Sequence, residues 1–308
     1  MARHFPCLIA CERTPPLSEP DILLVGGATA SGKSAYALDW AEARGGRIVN
    51  ADSMQLYVDL PILTARPSPA EEARVPHRLY GILPPDQTLS TGDWIRAVQS
   101  ELVAARQAGQ PVAIVGGTGL YFLSLIRGLA EIPAIPDPVR EAARAQLAHD
   151  GEQAVRTLLR DKDPAAEARI SPGDHQRLAR ALEVWLATGR ALSDWQADTQ
   201  PLLAPGTYAR VVIAPDRERL YARCDTRFDL MLRAGALDEV EALMAQGLAP
   251  DWPILRVLGA RELWGLIRGE LDRDTAIDQA KTLTRQYAKR QLTFFRNQFS
   301  DWPRFDPA

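Results

Sequence analysis

Cysteine is scarce in this chain of 308 residues. Cys7, Cys11 and Cys224 are too few and too uneven for a disulfide framework, and they suit a reducing compartment. Cys7 and Cys11 have no second pair at zinc-ligand spacing. The four histidines, His4, His77, His149 and His175, are scattered, without metal-ligand spacing. No apolar run approaches the ~18 residues of a membrane span. The short apolar patch after Arg3 is cut by Glu12 and Arg13, too early for a secretory signal. A cytoplasmic protein without membrane contact is the expectation. Excess positive charge is also missing. Lys and Arg number 36 against 39 Asp and Glu, a net charge of −3, so any nucleic-acid contact must come from local patches. Internal repeats and low-complexity tracts are absent.

What stands out instead is Gly27-Ala28-Thr29-Ala30-Ser31-Gly32-Lys33-Ser34. Its spacing, G-x-x-x-x-G-K-S, is the phosphate-loop pattern. The apolar run Ile22 to Val25 before it reads as a buried strand, and Ala35 to Ala41 after it reads as a helix. Glycines let such a loop close around an anion with its N–H groups inward, and the helix N-terminus adds partial positive charge. Lys33 supplies a full charge against the phosphates, and Ser34 offers a hydroxyl to Mg²⁺.

Further strands are expected at 47–51, 111–115 and 208–214, each an aliphatic run. Helices are expected near 93–109, from 120, at 174–188, and at 216–233, 235–246, 254–268 and 274–297. Strand and helix alternate, which implies a parallel sheet with right-handed crossovers. Pro133, Pro136 and Pro138 mark a change of texture, after which no strand is expected until 208. The predicted fold class is therefore α/β, with a central parallel sheet flanked by helices. The core covers 21–135 and 205–308, an all-helical insertion covers 136–204, and residues 1–20 form a loose arm.

Five further groups carry candidate chemistry. Asp52 follows the strand at 47–51, at the edge where ligands sit in open α/β sheets. There a carboxylate can hold Mg²⁺ through water, take a proton from a nucleophile, or cap the next helix. Gly116-Gly117-Thr118-Gly119 ends another strand, where many phosphate-loop proteins carry an acidic residue for Mg²⁺. It is either a close-approach site for a ligand or a tight turn. Gln176, Arg177 and Arg180 open an amphipathic helix and suit base edges or phosphates, or form a solvated face. Lys281, Arg285, Lys289, Arg290 and Arg296 form a basic set with no acid between them in sequence, as a phosphodiester backbone needs. Arg217, Arg219, Arg223 and Arg227 share one expected helix, from which an arginine can reach over the loop to a leaving pyrophosphate.

Together these motifs resemble the tRNA dimethylallyltransferase family, also called tRNA isopentenyltransferases, over nearly all of 22–298. The resemblance rests on Gly27–Ser34, Asn50–Tyr57, Thr64–Pro67, Gly116–Tyr121, Gln176–Val184 and Arg285–Gln291 in that order. It implies a phosphate-loop (P-loop NTPase-like) core, with the nucleotide-binding loop turned to a prenyl donor. The implied reaction moves a dimethylallyl group from dimethylallyl diphosphate to N6 of adenine 37, in the tRNA anticodon stem-loop. Asp52, Lys33, Thr118 and Arg227 take the catalytic roles. Residues 27–34 (Gly27, Ala28, Thr29, Ala30, Ser31, Gly32, Lys33 and Ser34) hold the diphosphate, with Mg²⁺ on Ser34. The tRNA-contacting positions are Asp52, Ser53, Met54, Gln55, Thr118, Arg140, Gln176, Arg177, Leu178, Ala179, Arg180, Arg256, Arg261, Lys281, Arg285 and Lys289. A monomer with no obligate protein partner is implied.

The chain departs from the family pattern in three places: Ala28 where proline is usual, Val58-Asp59-Leu60-Pro61 where basic residues are common, and Ala260-Arg261-Glu262, which lacks an aromatic after Gly259. Other readings of the same residues are an ATP-dependent kinase of a small metabolite, prenylation of free adenine nucleotides, and a non-catalytic nucleotide switch or tRNA-binding module.

Overall fold

The computed structural model describes residues 21–247, 249 and 251–307; the expected arm at 1–20 lies outside them. The chain runs β1 (Ile22–Gly27), α1 (Lys33–Glu42), β2 (Arg47–Asn50), α2 (Pro69–Arg74), β3 (His77–Arg78), α3 (Thr91–Gln107), β4 (Val112–Gly116) and α4 (Gly119–Arg127). Four helices follow: α5 (Asp137–Lys162), α6 (Pro164–Arg169), α7 (His175–Thr188) and α8 (Leu192–Ala197). The chain closes with β5 (Ala209–Ile213), α9 (Arg217–Ala234), α10 (Ala236–Met244), α11 (Ala260–Ile267), α12 (Arg273–Gln298) and β6 (Arg304–Phe305).

The six strands make one sheet, all parallel, in the order β3-β2-β4-β1-β5-β6. Strands covered on both faces need continuous aliphatic runs, and β1 supplies Leu23, Leu24 and Val25 with no exposure. In register, Leu24 lies beside Ile114 on β4 and Arg210 on β5. β1 thus sits between strands that come much later in the chain, and the crevice at such a switch point is where α/β sheets place ligands. The loop after β1 opens there.

Four local features depart from the sequence expectation. β3 and β6 have two residues each, too short to show a period. Helix α3 starts at Ser90, whose hydroxyl accepts the Asp93 N–H, not at Asp93 itself. The loop after Tyr57 contains α2, started by a reciprocal Ser68–Glu71 capping box. The helix expected over 254–268 is broken. A 3₁₀ turn spans Pro253–Arg256, and Gly259 at φ 87° starts α11. Only glycine holds that left-handed conformation without strain.

Two compact units result, one from residues up to 123 together with 203 onward, the other from 124–202. The second is all-helical. Its core is Ala143, Val155, Leu159, Leu178, Ala181 and Leu182, and Gly151 kinks α5. Arg156 lies buried there, bound to Glu152, Glu167 and the carbonyls of Ile170 and Ser171. It thereby fixes the turn that leads into α7.

Candidate active site

The loop after β1 is built from strain and close approach. Ala30 sits at φ 62° and Gly32 at φ 95°, left-handed residues on either side of Ser31, the kind of alternation that forms an anion-binding nest. Ala30 pays for this, since a Cβ disfavours that region. Gly32 leaves α1 without a side-chain cap, so the helix opens with unsatisfied donors. Ser31 is fully buried with no hydrogen-bond partner for its hydroxyl among the described residues. Lys33 lies under the loop, 8% exposed, its Nζ donating to the Ala28 carbonyl at 3.1 Å. Burial lowers its pKa to about 8; the Asp52 carboxylate opposes the shift and Arg227 adds to it. Ser34 is exposed in the first turn of α1.

Asp52 is delivered by β2. Asn50 grips its backbone on both sides, accepting the Asp52 N–H at 2.7 Å and donating to its carbonyl at 2.9 Å. The Asn50 carbonyl in turn accepts the indole N–H of the fully buried Trp94, which stacks on Tyr121 at 4.0 Å. One oxygen of Asp52, Oδ1, accepts the Met54 N–H and caps the 3₁₀ turn Met54–Leu56. Oδ2 accepts no hydrogen bond among the described residues. The carboxylate thus does two jobs, with one oxygen spent on local structure and the other open. Its charge reaches Lys33, Arg227, Tyr80, Tyr121 and Tyr287.

The turn after β4 explains its glycines. A Cβ on Gly116 would fall 2.0 Å from the Ala51 carbonyl oxygen, and one on Gly117 would fall 2.1 Å from Nε2 of Gln291. Thr118 is pinned from both ends. Its N–H donates to Ala51 O at 3.1 Å, and its hydroxyl accepts the Ser53 N–H at 3.0 Å.

From α9, Arg227 reaches the loop and donates to the Thr29 hydroxyl. Arg227 is half-buried, and desolvation lowers its pKa. Cys224, Arg227, Phe228 and Met231 recur at i, i+3, i+4, i+7 and form one stripe of α9. That stripe lines a small cleft together with Thr29, Asp52, Met54, Leu63, Thr64, Val257, Leu258, Thr284 and Tyr287. Polar groups converge at Thr29, Asp52, Arg227 and Tyr287, while Leu63, Phe228, Met231, Val257 and Leu258 give an apolar wall. Such a cleft suits a ligand with an anionic head and a short hydrocarbon tail.

Other expected positions have different occupations. Gln55 spends its amide on the carbonyls of Thr64 and Ala65, at 3.0 and 2.6 Å. It holds the turn that Arg66 also pins through Tyr57 O and Val58 O. Lys281 and Arg285 are not a free stripe. Across the helix pair they meet Asp229 and Asp225 on α9, at 2.7 and 2.6 Å. Lys289 and Arg290 remain exposed, the latter over the Tyr287 ring. Arg256 lies in the 3₁₀ turn, near enough for its charge to act on Tyr57; Arg261 is in the first turn of α11.

In the helical unit, Gln176 and Arg177 are exposed and Arg180 partly so. Leu178 is wholly buried and Ala179 nearly so, so these two serve its packing instead. Arg140, Arg177 and Arg180 each hold a local acid, Asp137, Asp174 and Glu183. Sequence reasoning assigned no role to Gln291, Phe228, Met231 or Tyr287. The signal for the α9 residues was present, an apolar stripe with one arginine embedded in it.

Sheet order, loop and cleft define a phosphate-loop α/β protein whose site pairs an anion cradle with a carboxylate and an apolar wall. The model of the IPP transferase family matches residues 55–298, and the chain belongs to that family. It is 52% identical to the tRNA dimethylallyltransferase of Phenylobacterium zucineum over 93% of this chain and 92% of that one. Among solved structures, the tRNA isopentenylpyrophosphate transferase of Bacillus halodurans superposes with a TM-score of 0.66. It is 30% identical and covers 94% of this chain and 90% of its own. A eukaryotic dimethylallyltransferase acting on tRNA reaches a TM-score of 0.80 at 24% identity, covering 93% of this chain and 74% of its own, and shares the fold.

Proposed function

We propose that this chain transfers a dimethylallyl group from dimethylallyl diphosphate to N6 of adenine 37 in tRNA. An exocyclic amine is a weak nucleophile because its lone pair is delocalised into the ring. As N6 attacks the allylic carbon, the C–O bond breaks and its electron pair leaves on diphosphate. The N6 proton passes to Asp52, whose open Oδ2 is the group free to take it. Lys33, the loop amides, Thr118 and Arg227 meet the charge that develops on the leaving group. The apolar wall of the cleft takes the prenyl tail. Adenine 37 must leave its stack to reach Asp52, so base flipping is required. Gln176, Arg177 and Arg180 of the helical unit, with Lys289, Arg256 and Arg261, hold the RNA.

The residues fit a divalent cation. Such ions take oxygen ligands and keep phosphate and water in their shell. The exposed Ser34 hydroxyl in the first turn of α1 would hold the ion, with the diphosphate and water supplying the other oxygens, which leaves Asp52 Oδ2 to the proton. Bound there, Mg²⁺ would neutralise diphosphate charge. Among the described residues no helix is long and apolar enough to cross a membrane. We place the protein in the cytoplasm, as a monomer.

The observation that carries the reading is the shared cleft, in which Thr29 of the phosphate loop, Asp52 and Arg227 line one space with an apolar wall. The test is transfer of labelled dimethylallyl diphosphate, with Mg²⁺, to tRNA lacking the modification. Label in tRNA supports the reading. ATP turnover on a small acceptor with no label in tRNA would indicate a kinase, and label on free adenine nucleotides alone would move the acceptor.

A further inference from the structure

Gln291 belongs to a helix far along the chain, yet its side chain ends between the two loops of the site. It is 5% exposed. Its Oε1 accepts the Thr29 N–H at 2.8 Å, and its Nε2 donates to the Gly117 carbonyl at 3.0 Å. A backbone N–H can only donate and a carbonyl can only accept, so the two partners settle which end of the amide points where.

Both loops depend on this contact. Thr29 is held at its N–H by Gln291 and at its hydroxyl by Arg227. Its N–H is therefore not available to a phosphate, and the loop keeps its shape instead. Gly117 precedes Thr118, and the space its missing Cβ leaves lies 2.1 Å from Gln291 Nε2 and 3.3 Å from Asp52 Oδ2. The strut stands on a fixed base. One turn before it Ala288 is buried against Ala28, Leu220 and Cys224, and one turn after it Phe295 fills the space over Gly26. A rigid helix with packing on both sides of the residue places an amide far better than a loop does.

We propose that Gln291 is a positioning residue for transfer. It fixes the separation between the leaving-group cradle at Thr29 and the Gly117 turn that borders Asp52 on the acceptor side, keeping the amine, the allylic carbon and the departing oxygen in line. The role rests on the reaction proposed above. Misplacement of reacting groups by about 1 Å costs about a hundredfold in rate, whereas ground-state binding tolerates it better. The strut therefore shows itself in kcat more than in the affinity of either substrate.

The test compares the full chain with Gln291→Leu, which removes both bonds, and Gln291→Glu, which keeps the shape and the Thr29 contact but has no proton for Gly117. For each, kcat and donor KM are measured by label transfer, tRNA Kd by direct binding, and folding by thermal melting. Expected are folded variants with kcat at least tenfold lower, donor KM raised by less than that factor, and tRNA Kd within twofold. If Gln291→Leu does not fold, Gln291→Glu decides on the same criteria. Folded variants with kcat within twofold overturn the role. So does a loss confined to donor affinity, which makes Gln291 part of the cradle, or a loss confined to tRNA affinity, which makes it an RNA contact. Failure of both variants to fold assigns it to the architecture alone. No label with the unaltered chain refutes the reaction itself, and the strut's role with it.

Discussion

If the proposed reaction holds, Lys33 should make donor binding sensitive to pH in a way an exposed lysine would not. Burial takes its pKa from 10.5 to about 8, which amounts to about 3 kcal/mol against the charged ammonium in the free protein. A diphosphate held in the loop would supply the missing counter-charge and raise that pKa in the complex. Binding should then take up a proton above pH 8, and affinity should fall about tenfold per pH unit there. Between pH 7.5 and 9.5, the dissociation constant of dimethylallyl diphosphate, measured without tRNA by calorimetry, should rise about 20-fold. Buffers of different ionisation enthalpy should report proton uptake at the upper pH. In Lys33→Met the dependence should vanish and affinity should be low throughout. Stability carries the opposite sign. Between about pH 8 and 10.5 the unfolded chain keeps its Lys33 proton and the folded chain does not. The free protein should thus gain stability as pH rises through that window, relative to Lys33→Met. A donor affinity flat from pH 7.5 to 9.5, with no proton uptake, would refute the assignment of Lys33 to the leaving group.

Asp52→Asn should lower the transfer rate by about 10² or more while tRNA affinity stays within about twofold, as loss of a proton acceptor predicts; single-turnover kinetics measure it, and full activity would remove Asp52 from the chemistry. Gly117→Ala should cost roughly 1–3 kcal/mol in denaturant unfolding, because the added methyl meets Gln291 and the turn must shift. Ala30→Gly should stabilise the free protein by about 1 kcal/mol, since its left-handed backbone at φ 62° no longer opposes a Cβ; an unchanged unfolding midpoint would mean the loop carries no such strain.

Patterns with a short period or a fixed spacing were readable in advance. The aliphatic runs at 22–25, 47–51 and 111–115 marked central strands because a strand covered on both faces has no polar alternation. The phosphate loop declared itself because only glycines at those two positions let the backbone close on an anion. Edge strands of two residues and the break at Gly259 were not readable, because neither leaves a periodic trace.

Contacts between distant segments could not be read at all. The sequence shows basic residues without acids among them at 281–296, but only the packing of α12 on α9 reveals that Asp225 and Asp229 answer two of them. It shows Gln55 in a motif, but not that its amide is spent on Thr64 and Ala65. The amino-acid order by itself marked the central strands, the phosphate-loop spacing and a carboxylate at the end of β2, since each follows from neighbours a few residues apart. Which oxygen of Asp52 stays open, which cations stay unpaired and which amide joins the two loops were decided by tertiary structure. Those depend on side chains brought together from positions up to 262 residues apart, and no local spacing encodes such a meeting.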